Sequence, residues 1–248
     1  MSASRRLDRR LLELGLFETR AKAQEAIAVG AVTVNGEPAR KASQSVPVDA
    51  VIKAQPAHPY VSRSALKLIG ALDAFSMNPA GAICLDVGAS TGGFVEVLLE
   101  RGAMRVFAVD VGRGQLHERL RSDARVVSLE ATDARNLDRA VITDPVTLIT
   151  CDASFISLDK VLPAALALGE PEARLIALFK PQFEVGRAFI GKGGVVSDAA
   201  AIERAMKNAR AFIEDAGFKV QGVVESPIRG GDGNQEYLIA ALKMVPPA

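Results

Sequence analysis

The chain has 248 residues, a formal net charge of +1, and 49% hydrophobic against 24% charged residues, enough apolar material for one large domain with a small appendage. That net charge alone predicts no partner, and no charge-free apolar run approaches the ~18–20 residues a membrane helix needs. The two cysteines, Cys84 and Cys151, lack metal-type spacing and fall in apolar runs, so they read as small core residues of a reducing, cytoplasmic compartment with no disulfide.

The charge is unevenly spread. Residues 1–60 hold nine Lys/Arg against six Asp/Glu, and a basic front on a near-neutral body suggests contact with a polyanion. The Arg-rich start is not followed by an apolar stretch, so no secretory signal is expected. Ser4 is placed to cap a first helix with Leu7, Leu11 and Leu14 inward and Leu12 beside them, closing at Gly15 and carrying Arg5, Arg6, Arg9 and Arg10. Thr19 starts a second helix with Ala23, Ala26 and Ile27 inward, ending at Gly30. Val32-Thr33-Val34 then runs into Asn35-Gly36, a strong hairpin signal, and Val46, Val48, Val51 and Ile52 supply two more short strands.

This order, RLDRRLLELGLFETRAKAQEAIAVGAVTVNG, resembles the S4-type RNA-binding domain. The resemblance implies that Arg5, Arg6, Arg20, Lys22 and Lys41 meet RNA phosphates, contacts that place a protein on RNA without reading its sequence. Without it, the segment reads as a small α/β appendage with solvated arginines.

Gln55-Pro56-Ala57-His58-Pro59-Tyr60 is a linker stiffened by two prolines. Ser62 or Ser64 caps the next helix, with Leu66, Leu68, Ile69 and Leu72 apolar and Lys67 among them; a lone lysine there ordinarily snorkels to water. Ile83, Cys84, Leu85 and Val87 form a buried strand ending in the turn Gly88-Ala89-Ser90-Thr91-Gly92-Gly93, and a helix with Phe94, Val97 and Leu98 on one face follows. Glycines admit a ligand close to the backbone, and a helix start offers unpaired N–H groups. The next strand, Val106 to Val109, ends at Asp110, where α/β folds grip a ribose diol, about 20 residues past the turn.

The turn does not spell the G-x-G-x-x-G of dinucleotide sites, which disfavours a nicotinamide oxidoreductase. It resembles motif I of the S-adenosylmethionine-dependent methyltransferases, in which an acidic residue, here Asp86, precedes the first glycine. A carboxylate suits a cofactor that carries an amino group and a sulfonium but no phosphate. The alternative is a glycine turn that only packs a helix on a sheet. The resemblance implies a cofactor set of Asp86, Gly88, Ser90, Gly92, Gly93, Phe94, Asp110, Asp133 and Asp152.

Val126, Val127 and Leu129 form a third strand, after which Asp133 either meets an adenine edge or caps a helix. The strand Val146 to Cys151 runs into Asp152, and the strand Leu175 to Phe179 runs into Lys180. If those strands are neighbours, Asp152 and Lys180 face one pocket at the carboxyl edge of the sheet. The glycine-rich stretch 184–197 nearly spells a P-loop, but Gly193 stands where a hydroxyl should meet magnesium, so a substrate lid is expected instead. Ser197 or Asp198 caps a helix with Ile202, Met206, Ala209, Phe212 and Ile213. A sixth strand (Phe218 to Val224), the long turn SPIRGGDGN, and a last strand (Gln235 to Leu242) opened by Glu236 complete the chain. Two strands joined by a loop without a helix must run antiparallel.

YVSRSALKL, CDASF, LFKPQFE and NQEYL are similar to segments of the TlyA-type rRNA 2′-O-methyltransferases, also called haemolysin A, whose catalytic domain is FtsJ-like. The resemblance spans almost the whole chain. It implies a Lys-Asp-Lys-Glu tetrad at Lys67, Asp152, Lys180 and Glu236, S-adenosylmethionine as cofactor, cytidines of 16S and 23S rRNA as targets, and no metal. It also implies an S4-like α+β RNA-binding domain at 1–57, a linker at 58–62, and a Rossmann-like α/β methyltransferase domain at 63–248. That domain is expected to hold a mostly parallel seven-stranded sheet with its last strand antiparallel. A ribose 2′-hydroxyl must lose its proton as it attacks the methyl carbon. On this resemblance Lys180 is expected to serve as general base or to stabilise the alkoxide, with Lys67 a neighbouring cation and the two carboxylates orienting the lysines. Two other readings remain beside it: a non-catalytic RNA-binding protein that keeps the cofactor fold, and a membrane-acting haemolysin.

Overall fold

The structure, a computed structural model, describes residues 4–245. Two compact units divide the chain, one ending at Pro59 and one beginning at Tyr60.

In the first unit, β1 (Ser4–Arg6) pairs antiparallel with β4 (Ser45–Pro47), and α1 (Leu7–Glu13) and α2 (Arg20–Ala28) follow β1. A second small sheet is antiparallel throughout, with β2 (Val32–Val34) between β3 (Glu37–Pro38) and β5 (Ile52–Ala54). Leu7, Leu11, Phe17, Ala23, Ala26, Ile27, Val32 and Val46 make its core. Asn35 and Gly36 both take positive φ, as a two-residue type I′ hairpin turn requires. The Thr19 hydroxyl accepts the Lys22 N–H, capping α2 as expected.

Ser4 does not cap a helix. It lies in β1, its hydroxyl accepting from that of Ser45, and α1 begins three residues later without a side-chain cap. Arg5 and Arg6 therefore sit on a strand, and only Arg9 and Arg10 of the four arginines are helical. Leu7 and Leu11 face inward as expected, but Leu14 is exposed because α1 ends at Glu13, and Val48 and Val51 are exposed in the connection between β4 and β5.

The second unit is built on a seven-stranded sheet. Its strands are β6 (Ile83–Val87), β7 (Arg105–Val109), β8 (Val126–Leu129), β9 (Val146–Cys151), β10 (Gly169–Phe179), β11 (Phe218–Glu225) and β12 (Tyr237–Lys243), in the spatial order β11-β12-β10-β9-β6-β7-β8. Five strands pair in parallel, and β12 runs antiparallel to both β10 and β11. Both faces are covered, which explains the near-continuous apolar runs. Leu85, Val87, Ile149 and Phe179 pack on one face with α9 (Ala199–Asp215), α6 (Leu158–Val161) and α7 (Pro163–Leu168). Cys84, Val106, Leu148 and Leu178 pack on the other with α3 (Ser64–Ala74) and α4 (Gly93–Glu100). The chain leaves β6 toward β7 on one side and β9 pairs on the other. The carboxyl ends of β6 and β9 thus form a topological switch point, where such sheets open a crevice.

Several details depart from the sequence reading. β10 starts at Gly169, six residues early, its register shifted between Gly169 and Arg174 around Glu172 at φ 63°. The alternation of strand and helix expected after Asp110 holds, with the short helices α5 (Glu118–Arg121), α6 and α7 between strands, but their bounds are not legible in the sequence. α3 has Arg63 at its cap position, although the Ser62 hydroxyl accepts the Ser64 N–H; α9 is capped by Asp198, which accepts from Ala201. After β10, α8 (Pro181–Glu184) leads into two 3-10 turns, Arg187–Phe189 and Lys192–Gly194. Asn234, buried, ties that stretch to the 226–236 turn by accepting the Val196 N–H and donating to the Gly194 carbonyl, both at 2.9 Å. Among the described residues no helix is long and apolar enough to cross a membrane.

Candidate active site

The floor of the site is backbone. Gly88, just past β6, has φ +83°, and a Cβ there would stand 2.8 Å from the Ala153 backbone just past β9. Only glycine permits that approach. Asp152 is fixed beside it by donating its N–H to the Val87 carbonyl at 2.9 Å. A Cβ on Gly93 would stand 2.1 Å from the Ser64 hydroxyl, so the starts of α3 and α4 are pressed together. The Val61 N–H, donating to Glu96 Oε2 at 2.6 Å, pins the approach to α3. Lys67 is thereby delivered to the crevice in the first turn of α3.

Two clefts open over this floor. The first, of about 290 Å³, is lined by Lys67, Asp152, Lys180 and Glu236 together with Ser62, Arg63, Phe94 and Phe183. The second, of about 470 Å³, is lined by Asp110, Val111, Gln115, Asp133 and Arg135. Gly88, Ser90, Asp152, Ser154 and Phe155 line both, so the clefts share one wall.

In the first cleft the charges come in two pairs. Lys67 Nζ lies 2.5 Å from Glu236 Oε2, with the side chains 8% and 3% exposed. A buried lysine between apolar neighbours is held by this partner; it does not snorkel. Gly230 lets the 226–236 turn close on Glu236, since a Cβ there would lie 2.5 Å from its Oε1. Lys180 Nζ lies 2.6 Å from Asp152 Oδ1 and donates to the Ser154 hydroxyl at 2.8 Å and the Asp152 carbonyl at 3.2 Å. The adjacency expected of Asp152 and Lys180 follows from parallel pairing of β9 with β10.

The second cleft is acidic. Asp110 accepts the Ser90 N–H at 2.8 Å and the Gly112 N–H at 2.7 Å, one on each oxygen, leaving further lone pairs toward the cleft. Asp133 caps the 3-10 turn Ala134–Asn136 and is held down to about 2, chiefly by its hydrogen bonds from the Arg135 side chain. The capping role left open for Asp133 is thus filled, while the residue also lines the cleft. Asp133 and Arg135 neutralise each other and Asp152 is paired with Lys180, so Asp110 is, among the described residues, the carboxylate of this wall that no cation offsets, and it favours a ligand that brings a diol rather than a phosphate.

Not every expected cofactor residue reaches a cleft. Asp86 is fully buried on the α3/α4 face of β6 and lines neither. Thr150 Oγ1 donates to its Oδ1 at 2.6 Å, its Oδ2 has no partner, and burial pushes its carboxyl up to about 7. Its place one residue before the strand end makes it point into the core by the alternation of a strand. Gly92 and Gly93 shape the turn without lining either cleft; Phe94 lines the first. Burial pushes Cys84 and Cys151 up to about 12, so neither is a thiolate nucleophile.

Sequence reasoning missed Ser154, which holds Lys180, and Phe155. The Phe155 ring is 90% exposed at φ +65°, with the Phe183 ring 5.2 Å away at the cleft mouth. The motif CDASF contains both residues, but nothing in it announces an exposed aromatic in a left-handed conformation.

In the first unit, Arg5 is exposed on β1, Lys41 is exposed, and Lys22 pairs with Glu18 at 2.6 Å. Arg6 and Arg20 both reach Asp8.

Residues 60–243 match the FtsJ-like methyltransferase family and residues 5–52 the S4 domain. The chain is 44% identical over 241 residues to the 16S/23S rRNA (cytidine-2′-O)-methyltransferase TlyA of Mycobacterium tuberculosis, covering 96% of this chain and 90% of that protein. It is 39% identical over 234 residues to Hemolysin A of Brachyspira hyodysenteriae, covering 94% and 98%. A Streptococcus thermophilus structure described as a hemolysin superposes with a TM-score of 0.78 at 39% identity, covering 100% of this chain and 91% of that one.

Proposed function

The chain belongs to the FtsJ-like methyltransferase family and carries an S4 domain, and on that footing we propose that it methylates the ribose 2′-hydroxyl of cytidine in ribosomal RNA, using S-adenosylmethionine. One observation carries this reading: two buried lysine–carboxylate pairs converge on a cleft that shares a wall with an acidic second cleft.

S-adenosylmethionine supplies an electrophilic methyl on a sulfonium. Asp110 suits its ribose diol, the Gly88–Ser90 backbone its amino-acid end, and Asp133 its adenine edge. In the first cleft, we assign the Lys180 ammonium to the negative charge that an attacking oxygen would build. Held by hydrogen bonds to Ser154 and the Asp152 carbonyl and by the ion pair with the Asp152 carboxylate, the ammonium acts through its charge, which favours stabilisation of the developing alkoxide over proton abstraction. Asp152 and Ser154 orient that ammonium. Lys67, fixed by Glu236, adds a second cation to the same cleft. Burial excludes water and strengthens each of these interactions. The exposed Phe155 ring beside Phe183 offers an unstacked base a flat apolar surface, the usual way single-stranded bases are held.

The test is transfer of labelled methyl from S-adenosylmethionine to separated ribosomal subunits, with the modified ribose mapped. Lys180→Ala is expected to cut turnover on the order of 10²–10³-fold while leaving cofactor affinity in place. Undiminished turnover removes Lys180 from the mechanism. Calorimetry that finds no cofactor binding to the unaltered chain would instead favour an RNA-binding protein without catalysis.

A further inference from the structure

Asp8 is the second residue of α1 and is 0% exposed. Its carboxylate accepts from Arg6 Nε and Nη2 at 3.1 and 2.9 Å, from Arg20 Nη2 at 2.8 Å, from Gln24 Nε2 at 3.1 Å and from the Arg9 N–H at 2.9 Å. One buried carboxylate thus gathers donors from β1, α1 and α2. Arg6 and Arg20 meet the same oxygen, yet their side chains stay 45% and 48% exposed. Two like charges brought this close repel unless an anion holds them. Each guanidinium has five N–H donors; Arg6 gives two of them to Asp8 and Arg20 one. The cluster keeps a net positive charge, a half-exposed face and donors to spare. A contact needed for stability alone is served at least as well by an apolar residue.

We propose that Asp8 is a positioning residue, locking Arg6 and Arg20 side by side so that they act as one site for a single backbone phosphate of RNA. This rests on the RNA-binding reading of the first unit. Planar forks suit phosphate oxygens, and two held in register lose little freedom on binding. The hydrogen bonds from Arg6 hold the Asp8 carboxyl well below its usual range, so the lock is charged at every pH where RNA is handled.

The test uses the full chain and ribosomal RNA, with affinity measured across a series of salt concentrations. Asp8→Asn removes a negative charge, and simple electrostatics predicts tighter binding to a polyanion. Positioning predicts the reverse: about 5–20-fold weaker binding near 0.1 M salt and a salt slope shallower by about one phosphate contact. The same factor is expected in KM for RNA, with kcat at saturating RNA and affinity for S-adenosylmethionine maintained. Equal or tighter binding by a folded Asp8→Asn chain overturns the proposal.

A second measurement leaves Asp8 untouched, in case its replacement unfolds the unit. Arg6→Ala, Arg20→Ala and the double variant are compared. If the two arginines form one site, the double variant binds little more weakly than either single variant. If the losses simply multiply, they act separately and the proposal falls. If neither single variant alters RNA affinity, the RNA-binding reading of this face fails with it.

Discussion

Lys67 and Glu236 stand 169 positions apart in sequence and 2.5 Å apart in space. Removing one member leaves a buried charge uncompensated, at a cost of about 3–5 kcal/mol, whereas replacing both with apolar residues of similar volume is often neutral. Lys67→Met and Glu236→Leu are therefore each expected to lower the melting temperature. The double variant should recover most of that loss and stay inactive in methyl transfer; thermal melts and transfer assays on the three chains check it. Recovered activity in the double variant would show that the pair is structural only. Lys67 also marks how far a sequence can be read at this scale. Within its helix it sits among apolar residues as any snorkelling lysine would. Only the fold, or the resemblance of YVSRSALKL, singles it out. Asp86 shows the opposite failure. Its position before the glycine turn suggested a ligand contact, and strand alternation turned it inward to Thr150.

Among the elements, the segment after β7 depends on one side chain. Glu130 accepts three successive backbone N–H groups, from Gly114, Gln115 and Leu116, at 2.9, 2.6 and 3.0 Å. These bonds, that from Leu116 foremost, hold its carboxyl below the usual range. The segment they shape presents Gln115 to the acidic cleft and packs Leu116 against Gly92. An amide at position 130 offers one acceptor oxygen where a carboxylate offers two. Glu130→Gln is expected to weaken S-adenosylmethionine binding about tenfold by calorimetry, with kcat at saturating cofactor little changed. The strands β6, β7, β9 and β12 were legible because buried apolar runs bounded by turn residues are a strong signal. The helices α5, α6 and α7 were not, since four to six residues carry too few turns to show a period. The early start of β10 was hidden by Pro171 and Glu172, which a bulge accommodates. Ser4 misled because a serine before an apolar run reads as a cap, while its pairing with Ser45–Pro47 is set forty residues later.

For the whole molecule, the strand order explains why the site lies where it does. It also brings carboxyl groups into the interior of the second unit. Burial raises Asp86 and Glu184 to about 7 each. An acid that keeps its proton to higher pH when folded lends stability that is full below its unfolded value, near 4, and lost as pH rises through 7. Asp133, held at about 2, works the other way, but only below pH 4 and at a partly exposed, screened site. The melting temperature is therefore expected to fall between pH 5 and 7.5, each buried acid contributing at most about 1.4 kcal/mol per pH unit. Asp86→Asn should flatten that slope; circular-dichroism melts across the range check it, and an unchanged slope would mean that Asp86 titrates normally.

The wall common to the two clefts, built from Gly88, Ser90, Asp152, Ser154 and Phe155, has a thermodynamic corollary. If the proposed cofactor and RNA take its two sides, they press on the same few atoms, and each then alters the other's equilibrium. Linkage makes that influence mutual: whatever factor the methyl donor adds to the grip on RNA, RNA returns in full to the grip on the donor. Under the proposed reaction, loss of the donor's charge would change that factor for both occupants together, giving spent donor and methylated RNA a shared reason to leave.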